Sequence, residues 1–114
     1  MPHLKGKSGA GALRVPTATG SLTEVTFLLK KDATVDKINA AFKAASTKKL
    51  KGILEYQEDP IVSSDIVGNN HSCIFDSLLT SVNGPMARIV GWYDNEAGYS
   101  ARLADLANMV SMKK

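Results

Sequence analysis

Trp92-Tyr93-Asp94-Asn95-Glu96-Ala97-Gly98-Tyr99-Ser100 joins the end of one expected element to the start of another through a polar turn. Upstream, Met86 to Tyr93 alternates as a strand requires, with Ala87, Ile89 and Gly91 on one face and Arg88, Val90 and Trp92 on the other. Downstream, Leu103, Leu106, Ala107 and Val110 fall at i, i+3, i+4 and i+7, with Tyr99 one turn earlier. That spacing predicts a helix from near Asn95 to about Ser111. A strand-to-helix junction exposes unpaired backbone donors, and binding sites are often built there. The competing reading is an ordinary capped turn, with Trp92 and the tyrosines as packing.

Working back from this junction, Asn83-Gly84-Pro85 marks a hairpin-like turn. His71 to Asp76, reaching toward Leu79, reads as a strand, and Gly68-Asn69-Asn70 as a turn. Ile61 to Val67 is short and mixed, and Asp59-Pro60 marks another turn. Leu50 to Tyr56 reads as a strand weakened by Gly52. Thr34 is the expected N-cap of a helix, with Asp36 in its first turn and Val35, Ile38, Ala41, Phe42 and Ala45 as its apolar stripe. Ser21 to Lys31 is the clearest strand, with Val25, Phe27 and Leu29 sharing a face. Leu13-Arg14-Val15 reads as a short extended segment stopped by Pro16.

The expected order is therefore β-β-α-β-β-β-α. Clustered strands with few crossover helices point to an α+β fold, a mixed or antiparallel sheet with helices on one face. Residues 1–11 read as a flexible lead-in and residues 12–114 as one domain, in keeping with a chain of 114 residues. A hydrophobic content of 44% excludes wholesale disorder, and 6% aromatics leave a core mostly of Leu, Ile, Val and Ala.

Composition also narrows the function classes. The net charge of +3 is spread over Lys5, Lys7, Lys48, Lys49, Lys51, Lys113 and Lys114. Lysines so scattered read as solvated surface rather than a nucleic-acid footprint. The single cysteine, Cys73, rules out an intrachain disulfide and suits a reducing compartment. No apolar run reaches the length of a membrane span, and no apolar signal core follows Met1-Pro2-His3-Leu4-Lys5. The expected location is cytoplasmic. One cysteine with His3 and His71 makes a poor zinc set. Ser63, Asp65, His71 and Ser72 include triad residue types but no nucleophile elbow. Asp94 and Glu96 read as a solvated turn pair.

The string Trp92-Tyr93-Asp94-Asn95-Glu96, then Gly98-Tyr99-Ser100, resembles a hallmark of the glyceraldehyde-3-phosphate dehydrogenases. Leu13-Arg14-Val15-Pro16-Thr17 is similar to that family's Arg-Val-Pro strand. Leu50-Lys51-Gly52-Ile53-Leu54-Glu55-Tyr56 with Val62-Ser63-Ser64-Asp65 resembles its central block, and His71-Ser72-Cys73-Ile74-Phe75-Asp76 its next strand. These segments follow one another in the family's order and cover nearly the whole chain.

The resemblance implies the C-terminal part of an NAD-dependent, phosphorylating aldehyde oxidoreductase of glycolysis. It implies that Arg14 binds substrate or inorganic phosphate, a task suited to a permanently charged fork of donors. The competing role for Arg14 is a surface or interface salt bridge. Asn95 matches the asparagine whose amide meets the nicotinamide carboxamide; its competing role is a helix cap. Tyr93 and Tyr99 match aromatic positions near the nicotinamide; their competing role is core packing. Ala97 stands where the family commonly has a large aromatic, and Ala101 where it has asparagine.

The family's nucleophilic cysteine sits in a Ser-Cys-Thr-Thr-Asn motif, which does not occur here. Cys73 does not match it. Although His71 would share its strand face, no helix dipole or cation is at hand to ionise the thiol. The family's general-base histidine and its dinucleotide-binding domain match nothing in this chain. The resemblance thus implies a segment that begins inside the catalytic domain, has no catalytic residue of its own, does not bind NAD tightly and is inactive alone. The alternative is a non-catalytic assembly module that self-associates or joins full-length dehydrogenase subunits, since a half-covered sheet offers apolar surface and open edges.

Overall fold

The computed structural model describes residues 5–112, so the first four residues of the expected lead-in and Lys113 and Lys114 lie outside it. The described elements are β1 (Ser21–Leu28), α1 (Val35–Thr47), β2 (Leu54–Gln57), β3 (Cys73–Asp76), β4 (Ser81–Asn83), β5 (Met86–Tyr93) and α2 (Ala97–Ser111). A 3-10 turn at Ser77–Leu79 separates β3 from β4.

β5 is the centre of the sheet. Along one edge it pairs antiparallel with β1 over its whole length, from Ser21 opposite Tyr93 to Leu28 opposite Met86. Its other edge is divided. β3 takes the C-terminal half, with Ile74 opposite Trp92 and Phe75 opposite Gly91, and β4 takes the N-terminal half. β2 closes the sheet by pairing parallel with β3. The order β1-β5-β3-β2, with β4 beside β5, makes a mixed sheet in an α+β domain.

The register places Val25, Phe27, Ala87, Ile89, Gly91 and Phe75 on one face, as period two demands. α1 lies on that face. Its N-terminus is fixed by Thr34, whose Oγ1 accepts from the Lys37 amide at 3.3 Å, with Asp36 in the first turn. Phe42 from this helix stacks on Phe75 with ring centroids 3.9 Å apart and 5° between planes, and Tyr56 flanks Phe75 at 5.8 Å. Phe75 is 1% exposed, so its burial is worth about 1.5–3 kcal/mol, with the aromatic stack adding about 0.5–1.5 kcal/mol. Leu54, Ile66, Ile74, Ala87 and Val90 complete the buried apolar core. On the opposite face, the Trp92 indole donates to the buried Asp76 carboxylate at 3.0 Å.

Three expectations need correction. Leu13-Arg14-Val15 is not a strand; it lies in an irregular stretch with Leu13 94% exposed, because no strand of the sheet pairs with it. The strand expected from Leu50 begins only at Leu54. Leu50 to Ile53 instead wrap a turn closed by Leu50 N–H to Ala45 C=O and Ile53 N–H to Leu50 C=O, both at 2.9 Å. The strand expected from His71 begins only at Cys73 and stops at Asp76, whose Oδ1 accepts from the Leu78 amide and starts the 3-10 turn, so Ser81–Asn83 becomes a separate short strand. The stripe on α2 forms as read, but Leu103, Leu106 and Val110 remain exposed among the described residues.

Gly91 stands at a close approach between strands. A Cβ there would stand 2.6 Å from Cys73 Sγ on the neighbouring strand, inside any tolerable contact. Gly91→Ala should cost about 1–3 kcal/mol in urea unfolding. The same change on a Cys73→Ala background should cost clearly less; an equal cost in both backgrounds would show that the thiol is not the obstacle.

Candidate functional site

Asp94 decides how the strand-to-helix junction is built. It follows β5 directly and is 4% exposed, so the expected solvated pair with Glu96 does not form. Its Oδ1 accepts from the amides of Glu96 at 2.9 Å and Ala97 at 3.0 Å, and its Oδ2 accepts from the Gly68 amide at 2.9 Å. Its own carbonyl accepts from the Gly98 amide at 3.1 Å, opening the first turn of α2. The side chain that satisfies the first amides at the start of α2 is therefore that of Asp94, not Asn95. These amides, Ala97 first and then Gly68 and Glu96, hold its carboxyl below the ordinary value of 3.8.

The second support is the turn before β3. His71 Nδ1 lies 2.9 Å from Asn69 Oδ1 and 3.0 Å from Glu55 Oε2. Both oxygens accept, which assigns the ring hydrogen to Nδ1. Asn69 Nδ2 donates to Glu55 at 2.8 Å and the Ser72 amide to the Ile53 carbonyl at 2.8 Å, tying the turn to β2. α2 rests on this turn through Gly98, where an added Cβ would stand 2.8 Å from the His71 carbonyl oxygen. Arg102 closes the contact, donating from Nη1 to Ser72 Oγ and to the Gly52 carbonyl, with Nε on Asp105.

Ser72, Tyr93, Asp94, Asn95, Gly98, Tyr99 and Arg102 line a cleft of about 310 Å³ between junction and turn. Asn95 and Tyr99 are both exposed on it, Tyr99 by 66%, which sets aside core packing for that ring. Tyr93 is half-buried in its lining. Asn95 Oδ1 makes a long contact of 3.5 Å with Ser21 Oγ at the start of β1. A primary amide beside an exposed aromatic ring suits a flat, amide-bearing heterocycle, so the residues present fit a nicotinamide ring.

Arg14 is exposed on the irregular stretch before β1 and does not line this cleft. The structure brings together Tyr93, Asn95 and Tyr99 and leaves Arg14 apart. Asp94, expected as a solvated turn residue, is instead buried, and Gly98, Ser72 and Arg102 join the cleft without having been expected there. Only Asp94 carried a visible signal, a carboxylate placed to accept from amides two and three residues ahead at a helix start.

Cys73 lines a second cleft of about 250 Å³ between α1 and the sheet. Desolvation by burial pushes its thiol above the ordinary value of 9.0, away from the reactive thiolate. Among the described residues no group of three or more His, Cys, Asp or Glu could hold a metal ion, and no helix is long and apolar enough to cross a membrane.

The family described as glyceraldehyde 3-phosphate dehydrogenase, C-terminal domain, matches residues 1–95. The glyceraldehyde-3-phosphate dehydrogenase of Mycobacterium avium is 61% identical over 110 residues, which take in 96% of this chain and 32% of that protein. That of Mycobacterium bovis (strain BCG / Pasteur 1173P2) is 60% identical with the same coverage. Glyceraldehyde-3-phosphate dehydrogenase 2 of Streptomyces arenae is 48% identical over 96% of this chain and 33% of its own length. The chain spans about a third of the length of these relatives.

Two outcomes follow from the site chemistry. Because the folded carboxyl of Asp94 is held low, its stabilisation is fully present above the ordinary value of 3.8 and is lost as pH falls through the depressed folded value. Asp94→Asn should remove that part of the acid slope in urea midpoints measured against pH; an unchanged slope would contradict the three-amide geometry. At neutral pH, iodoacetamide should label Cys73 more slowly than a small free thiol, accelerating only as pH passes above 9.0. Fast labelling at neutral pH would mean the thiol is ionised.

Proposed function

Because the chain belongs to the glyceraldehyde 3-phosphate dehydrogenase C-terminal domain family, we propose that it supplies one part of the catalytic domain of a cytoplasmic, NAD-dependent, phosphorylating aldehyde oxidoreductase. The observation that carries this reading is the presentation of Asn95 and Tyr99 on a single cleft at the start of α2. A nicotinamide held there would supply the hydride acceptor for the aldehyde oxidation. Asn95 would hold that group, donating from its side-chain amide to the nicotinamide carboxamide. Tyr99 and Tyr93, which line the same cleft, would pack beside it. Arg14, standing apart from this cleft, grips phosphate through paired guanidinium donors.

Positioning of this kind lowers a barrier only when the reacting groups are also held in place. Cys73 is not a candidate for the covalent step, since its thiol is half-buried and driven toward the neutral form. The nucleophile, the general base and most of the dinucleotide site must be provided by residues beyond those in this chain. The chain alone is therefore inactive in this reading and does not hold NAD tightly.

A second reading has its own observation. Leu103, Leu106, Met109 and Val110 are all about half exposed or more along α2. A helix face of that composition is suited to association, either with further copies of this chain or with full-length dehydrogenase subunits.

Mixing decides between the two. The chain is combined with a dehydrogenase fragment that ends before the Arg-Val-Pro segment, and NADH formation is followed with an aldehyde phosphate, NAD and inorganic phosphate. The first reading expects activity from the mixture and none from either part. In the mixture Asn95→Ala should raise the KM for NAD about threefold to tenfold, the worth of one neutral hydrogen bond. Arg14→Ala should raise the KM for phosphate about tenfold to a hundredfold, the worth of a charged one. Co-elution without NADH supports the assembly reading, and NADH from the chain alone overturns the first.

A further inference from the structure

We propose, resting on the dehydrogenase reading above, that Asp94 is the positioning residue for Asn95, locking the peptide that carries its amide to the loop between Val62 and Gly68. Both carboxylate oxygens of Asp94 are already engaged by protein amides, so it is not free to hold a ligand itself. Its bonds bracket Asn95. Oδ1 fixes the two peptides that follow, those of Glu96 and Ala97, and Oδ2 fixes the preceding residue to Gly68. One carboxylate thus ties the residue before Asn95 and the peptides after it to the same loop.

The loop that Asp94 grips is itself firm. The Val62 amide donates to Asp65 Oδ2 at 2.8 Å, the Asp65 amide to the Val62 carbonyl at 3.0 Å, and the Asn69 amide to the Ile66 carbonyl at 3.1 Å. Ile66 is 1% exposed and abuts Gly20, where a Cβ would come within 3.2 Å of Ile66 Cδ1. Gly20 precedes Ser21, whose hydroxyl reaches Asn95 Oδ1. One loop therefore supports Asn95 twice, through the Asp94 carboxylate behind its backbone and through Gly20 and Ser21 beside its side chain. A helix cap alone would need only the Oδ1 bonds. The bond from Gly68 to Oδ2 adds nothing to capping and fixes where the capped end sits.

The test uses Asp94→Ser, which keeps an acceptor for the helix start but gives up Gly68, and Asp94→Asn, whose carboxamide oxygen still accepts from Glu96 and Ala97. In the complemented mixture Asp94→Ser should raise the KM for NAD about tenfold, within the range that small misplacement of a positioned group produces, while the KM for phosphate moves less than about twofold. Asp94→Asn should fall between wild type and Asp94→Ser. On an Asn95→Ala background Asp94→Ser should add almost nothing, because the two act through one amide. Equal rises in both KM values, or full additivity with Asn95→Ala, would reduce Asp94 to a stability element and overturn the proposal.

Failure of the wild-type mixture to make NADH would sink the dehydrogenase reading instead. The positioning claim is then judged on the full chain alone by NMR. Loss of the single set of Asn95 side-chain amide signals in Asp94→Ser, with α2 helicity retained, supports it. An unchanged Asn95 signal set, with unchanged contacts to Ser21, refutes it.

Discussion

The backbone hydrogen bonds of β5 are shared among three neighbours, and almost every other feature is placed by that sharing. β1 occupies one edge in full, while β3 and β4 divide the other. The division fixes the register in which Phe75 meets Gly91, which in turn sets the ring beneath Phe42 of α1. A slip of one residue would turn these side chains to the wrong face. The same strand ends at Tyr93 and delivers Asp94 to the point where α2 must begin. The core and the cleft thus have one origin, a strand whose pairing leaves it little freedom.

What lies around the cleft is a set of polar contacts that replace missing apolar packing. The exposed positions of α2 show that this helix is not held by its stripe. Its first turns are held instead by Asp94, by the close seat of Gly98 on His71, and by Arg102 reaching Ser72 and Gly52. Such bonds are directional, so they fix an orientation more sharply than an apolar contact of the same strength would. This agrees with a site whose proposed work is to orient an amide and a ring.

Much of this was legible in the residues. The alternation of β1 and β5, the capped α1 with Thr34 and the junction at Asp94 all carry local patterns that survive folding. Leu13 to Val15 was misread because a β-like tripeptide forms a strand only when an edge is available to it. Leu50 to Ile53 was misread because the end of α1 continues into a turn through Ala45, a contact no propensity describes. The hallmark string marked Asn95 and Tyr99, and the structure places them on one cleft. The support beneath them was hidden, because Gly68 lies 26 residues from Asp94 and nothing in the intervening residues announces that they meet.

The contact between Ser21 and Asn95 joins residues 74 apart in sequence. The β4–β5 hairpin, by contrast, closes across Gly84 and Pro85 alone. Hairpins of that size form in about 1–10 μs, whereas closing the long loop carries a larger entropy cost. On a ribosome adding about 5–20 residues per second, β1 waits roughly 4–14 s before β5 exists to receive it. Through that interval Val25 and Phe27 have no sheet to join. The cleft, built from the end of β5 and the start of α2, can take shape only after that interval.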